Sequence, residues 1–120
     1  MVNELGKFLR KIRIDYGEIL KNMADKLEVT SSFLSAVENG KKKMPSSWYN
    51  KIIELYKLDD NQVDDFNKAI AKTEESVEIS LRKIPDVNKE VAISFARKFQ
   101  DFNTEDIEQI QKILKGVKKR

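Results

Sequence analysis

Cysteine and histidine are both missing from this chain of 120 residues. Their absence excludes disulfides, thiolate or imidazole metal sites, and catalysis by a Ser/His or Cys/His pair. Any chemistry would fall to carboxylates, lysines and hydroxyls. No apolar run approaches the length of a membrane span, and the N-terminal MVNELGKFLRKIR mixes charge into its apolar residues. Neither a membrane segment nor a signal peptide is expected, and the expected location is cytoplasmic. A large excess of one charge is also lacking. At a net +3 the whole-molecule field would draw nucleic acid only weakly, so a nucleic-acid site would have to be a local patch. Asp59, Asp60, Asp64 and Asp65 lack the spacing of a metal loop and read as helix caps and solvated charge. Neither metal nor cofactor is expected.

What the chain has is helical periodicity. With 40% apolar and 36% charged residues, it can form one modest core and a small second unit. Leu5, Phe8, Leu9 and Ile12 recur at helical spacing, predicting an amphipathic helix from about Asn3 to Asp15 that ends near Gly17. A second helix is expected over about Ile19 to Leu27. Thr30 is suited to cap a third over 31–38, which Gly40 would end. Pro45 and Ser46 open a fourth, SSWYNKIIELYKL, whose apolar surface is wide enough to be buried on two sides. Its aromatics Trp48, Tyr49 and Tyr56 read as core or dimer surface before base-stacking groups. Asp60 can cap a fifth, with Val63, Phe66 and Ile70 on its inner face.

After Lys72 the period changes. Val77, Ile79 and Leu81 alternate with polar residues, predicting a short strand over about 77–82 that Pro85 stops. Two further helices are expected, over about 86–102 and 104–116. The fold class predicted is therefore mainly α: a five-helix domain over 1–72, then a unit of one strand and two helices over 73–120.

The stretch MADKLEVTSSFLSAVENGKKK, residues 23–43, bears on function. A helix-turn-helix needs a small residue where its helices cross, an apolar residue after the turn, and apolar anchors inside the second helix. Ala24, Val29, Leu34 and Val37 fill those positions, with Met23 and Leu27 completing the face. A larger residue at Ala24 would force apart axes that pack about 8 to 10 Å from each other. Three consecutive lysines follow. Alone they would read as a solvated loop, but after such a motif they read as a phosphate-binding patch.

These residues, with LRKIRIDYG upstream, resemble the phage-repressor family of helix-turn-helix proteins, of Cro/cI or XRE type, over about residues 4–70. The resemblance implies a λ-repressor-like fold for 1–72, with the third helix reading double-stranded DNA. Positions facing base edges map onto Ser31, Ser32, Phe33, Ser35 and Ala36. None is a bidentate reader, so direct readout would be soft and DNA shape would contribute. Phosphate-positioning roles map onto Asn39, Lys41 and Lys43, with Lys42 and Arg10 as neighbours, and the dipole at the start of the third helix would favour an anion near Thr30. Arg13 and Glu38 match an internal ion pair. Two departures stand out. Glu28 occupies a turn position usually held by glycine, which would cost roughly 1 to 2 kcal/mol in a left-handed conformation. Leu20 stands where a phosphate-touching glutamine is usual, with Lys21 as the available substitute.

For residues 73–120 the expectation is an oligomerisation or partner-binding unit. The strand would pair with its copy across a two-fold axis and the helices would cover it, through Val77, Ile79, Leu81, Phe95, Phe99 and Ile110. No residue set suggests an enzyme. The function expected is a sequence-specific DNA-binding transcriptional regulator, a repressor acting as a homodimer on a palindromic operator and nucleoid-associated when bound. The alternative is an antitoxin, or a phage-type inhibitor, that binds a toxin or other protein partner through its C-terminal extension and represses its own promoter.

Overall fold

The structure is a computed structural model that describes residues 1–118. The chain divides into two compact units, Met1–Val77 and Glu78–Arg120, a boundary five residues later than the change of period suggests.

The first unit contains five helices: α1 (Glu4–Asp15), α2 (Leu20–Lys26), α3 (Ser31–Glu38), α4 (Trp48–Leu55) and α5 (Asp60–Thr73). Their starts follow from local chemistry. The side chains of Asn3, Thr30 and Asp59 accept hydrogen bonds from the Gly6, Phe33 and Gln62 amides and so occupy three otherwise orphaned donors. The cap of α5 is thus Asp59, one residue before the aspartate the sequence suggests. Pro45 and Ser46 lie in the turn before α4, whose first helical residue is Trp48.

Leu5, Leu9 and Ile12 from α1 meet Met23, Ala24, Leu27, Leu34 and Val37 from the α2–α3 segment, and Trp48, Ile52, Tyr56 and Phe66 close the core. Phe66 lies between two rings, stacked on Phe8 at 5.0 Å and on Tyr49 at 5.2 Å between centroids. Trp48, Tyr49 and Tyr56 therefore serve packing. The amide of Leu5 also donates to the Thr73 hydroxyl (3.2 Å), fixing the start of α1 to the end of α5.

The second unit holds α6 (Asp86–Lys98), a 3₁₀ turn over Phe99–Asp101, and α7 (Thr104–Gly116). Asn103 caps α7 by accepting from the Asp106 amide at 2.8 Å. The helix expected to reach residue 102 tightens into the 3₁₀ turn, where Phe95, Phe99 and Phe102 form a ring cluster with centroids 5.4 to 6.0 Å apart.

The predicted strand is corrected: the described residues contain helices and no strand, and 77–82 carry no regular structure. Val77 and Ile79 are exposed and Leu81 is half-buried. Alternation of apolar and polar residues favours a strand only where a second extended segment offers its N–H and C=O groups. None does so here, and the fold class is all-helical over the described residues. The pairing role expected of Val77, Ile79 and Leu81 falls with the strand.

Candidate nucleic-acid interface

The α2–turn–α3 segment is held from within. Ala24 is buried where the two helices meet, and its carbonyl accepts from the Val29 amide at 3.0 Å, closing the turn. Between them Glu28 has φ +60°. A left-handed backbone is unfavourable for a side chain with a Cβ, yet here it lets the chain turn within the four residues that separate α2 from α3. Thr30 then accepts from the Phe33 amide at 3.0 Å and starts α3. Leu34 and Val37 face the core, which turns the opposite side of α3 outward.

That outer side has a defined shape. Ser31, Ser32, Ser35, Ala36 and Asn39, together with Leu20 and Lys41, line an open depression of about 380 Å³. Four of the five candidate base-reading residues thus share one surface. Phe33 does not belong to it, because its ring packs edge-on against Trp48 at 5.8 Å. Asn39 lines the depression while donating from Nδ2 to the Ser35 carbonyl at 2.8 Å.

The candidate phosphate groups separate into free and engaged cations. Lys41 and Lys42 have no ion-pair partner among the described residues, and their amides donate to the Ala36 carbonyl, which fixes the loop's path beyond α3. Lys43 is engaged: its ammonium donates to the Ser76 carbonyl at 3.2 Å and lies 3.8 Å from the Glu74 carboxylate. Lys21 pairs with Asp25 at 3.2 Å in an exposed contact, which is weak enough for a phosphate to displace. Arg10 lies 3.6 Å from Glu38. Thr30 uses its hydroxyl oxygen as the acceptor of the cap, which leaves its O–H available as a donor.

Behind the surface, Arg13 and Glu38 form a buried pair. Both guanidinium nitrogens donate to the carboxylate, Nη2 to Oε1 at 3.0 Å, and Nη1 also donates to Met23 Sδ at 3.3 Å. The pair ties α1 to the last turn of α3, and α1 closes on α3 elsewhere too. The Asn3 amide donates to the Glu38 carbonyl at 2.9 Å, and a Cβ on Gly6 would collide with that same carbonyl oxygen. Gly6 was readable only as an oddity, since glycine in a helix interior costs about 0.5 to 1 kcal/mol and asks for a reason. The close approach is that reason.

A polar cluster lies at the other end of α1. Tyr56 donates to Glu18 at 2.7 Å, Lys26 donates to the same carboxyl group, and Tyr16 donates to the Tyr56 carbonyl at 2.6 Å. Burial alone would raise the Glu18 pKa, but hydrogen bonds from Lys26 and Tyr56 outweigh it and hold it below the ordinary carboxylate value. Burial and the Glu18 charge both push the Tyr56 phenol up. The ammonium of Lys26 lies 4.8 Å from the Tyr56 ring centroid. These contacts brace α2 and α4.

Set against family models, curated proteins and solved structures, the chain finds no match. Among the described residues no three or more Asp, Glu, His or Cys side chains group to hold a metal, and no helix is long and apolar enough to cross a membrane.

Proposed function

We propose that the first unit binds double-stranded DNA, with the outer side of α3 entering the major groove, and that the protein is a transcriptional regulator of the helix-turn-helix repressor type. The observation carrying this reading is the outward surface of Ser31, Ser32, Ser35 and Ala36, continuous with the unpaired Lys41. Small side chains let a helix approach base edges closely, and hydroxyls accept or donate to many of them. Lys41 and Lys42 would neutralise phosphates beside the groove, with Lys21 exchanging its exposed partner Asp25 for phosphate and the half-exposed Arg10 turning from Glu38, which keeps Arg13, towards the backbone. Lys43, held by Glu74 and Ser76, is assigned a smaller part than its neighbours.

Soft base contacts from one helix give little discrimination. The regulator is therefore read as a repressor acting in two copies, whose recognition helices would lie about 34 Å apart and meet inverted half-sites about 10 bp from centre to centre.

Selection of bound duplexes from a random pool, using the purified chain, tests the reading. An enriched inverted repeat is expected. Lys41→Ala and Lys42→Ala should weaken binding to every duplex and each lower the slope of log affinity against log salt by about 0.9. Ala36→Gln should instead change which sequences are enriched. A pool that stays unenriched while the protein is folded would sink the reading.

A further inference from the structure

We propose that the outer face of α6 pairs with the same face of a second copy of this chain, antiparallel about a two-fold axis at Ser94. Not one described residue of the second unit is buried. Val87 and Val91 on α6 are 69% and 64% exposed, although side chains of this kind stabilise a helix pair only by leaving water. An open depression on this face, about 370 Å³, is lined by Glu90, Val91, Ser94, Phe95, Lys98 and Phe102.

The pattern of that face selects the occupant. Glu90, Ser94 and Lys98 follow one another at intervals of four, placing the carboxylate and the ammonium each about 6 Å along the axis from Ser94, on opposite sides. Reversing a second α6 about Ser94 brings Glu90 of each copy opposite Lys98 of the other, so both charges are matched twice. Neither residue has an ion-pair partner within the chain among the described residues. On the adjoining stripe the same operation interleaves Val91 and Phe95 of one copy with Phe95 and Val91 of the other. Ser94, the smallest group on the stripe, sits on the axis where two helices approach most closely. Such self-complementarity is what an isologous contact requires.

This inference deepens the two-copy part of the proposed function. It is measured without DNA, so its failure and a failure to bind DNA are separate results. Sedimentation equilibrium of the full chain from about 1 to 100 µM should show a reversible dimer. Glu90→Lys and Lys98→Glu, both at exposed positions, should each turn two attractive contacts into repulsive ones and raise the dimer dissociation constant about tenfold. The double variant Glu90→Lys/Lys98→Glu should regain wild-type association. An equimolar mixture of the two single variants should form heterodimers, because every facing pair is then of opposite charge. Circular dichroism of each variant should match the wild type. A chain monomeric throughout the range, charge variants that associate as tightly as wild type, or a double variant no better than the singles would each overturn the pairing.

Discussion

Gly6 shows how much one absent side chain can decide. In α1 it lies beside Leu5 on the face pressed against the end of α3, and the Glu38 carbonyl occupies the space where a Cβ would stand. Alanine there is a better helix former by about 0.5 to 1 kcal/mol. Relieving the collision, however, would require moving α1 off α3 and stretching the buried Arg13–Glu38 pair. We expect Gly6→Ala to lower stability by about 1 to 3 kcal/mol, in line with overpacking of a closed contact. A urea midpoint equal to or above wild type would mean that the helices separate without cost. The Glu18–Tyr56 contact gives a prediction of a different kind. Because the folded state raises the Tyr56 pKa above its unfolded value near 10, the stabilisation is fully present below pH 10. It is lost as the pH rises and the unfolded phenol ionises. Tyr56→Phe should cost about 1.5 kcal/mol at pH 8, where a hydrogen bond to a carboxylate is lost. The deficit relative to wild type should shrink by pH 11, since lysine titration is common to both proteins. Parallel urea-stability curves over that range would rule out a coupled phenol. Neither contact could be read from the sequence: Gly6 looks like a weak helix position, and Glu18 and Tyr56 lie 38 residues apart with no motif joining them.

At the scale of elements, local rules worked where the information was local. Thr30 and Asn103 cap the helices that follow them, and the apolar stripes of α1 and α5 face inward. Those rules failed at 77–82, where alternation alone does not make a strand, and at Phe99, where the ring cluster accompanies a 3₁₀ turn. The candidate surface was partly legible for the same reason. The spacing of Leu34 and Val37 fixes the inner side of α3 and thereby turns Ser31, Ser32 and Ser35 outward, but Phe33 lies close enough to Trp48 to be drawn into the packing. Engagement of Lys43 depends on Glu74 and Ser76, more than thirty residues away, and could not be foreseen. The turn between α2 and α3 offers a direct test. Glu28 holds φ +60° and its carboxylate, 82% exposed, reaches Lys51 at 3.6 Å, a contact worth little. Glu28→Gly should therefore raise stability by about 1 kcal/mol, the relief of left-handed strain exceeding the added freedom of the unfolded chain. A lowered thermal midpoint would show that the strain is smaller than the entropy.

For the whole molecule, the distribution of core residues matters more than net charge. Every buried side chain among the described residues belongs to the unit ending at Val77, while the apolar face of α6 belongs to the other. A chain ending at Val77 should thus keep its five helices and unfold in one cooperative transition, since it keeps its whole core. It also keeps Lys41, Lys42, Lys21 and Arg10, so its affinity for random-sequence DNA and the salt slope per copy should match the full chain, both being set by phosphates neutralised. Operator affinity should behave differently. Joining two copies makes the second half-site encounter intramolecular, a gain on the order of 10² to 10⁴ without any new contact, and the shortened chain forfeits it. Fluorescence anisotropy with an operator and a scrambled duplex should therefore show a fall of at least about a hundredfold on the first and little change on the second. Equal operator affinity for both chains would place the two-copy contact within the first unit, or show that one copy suffices.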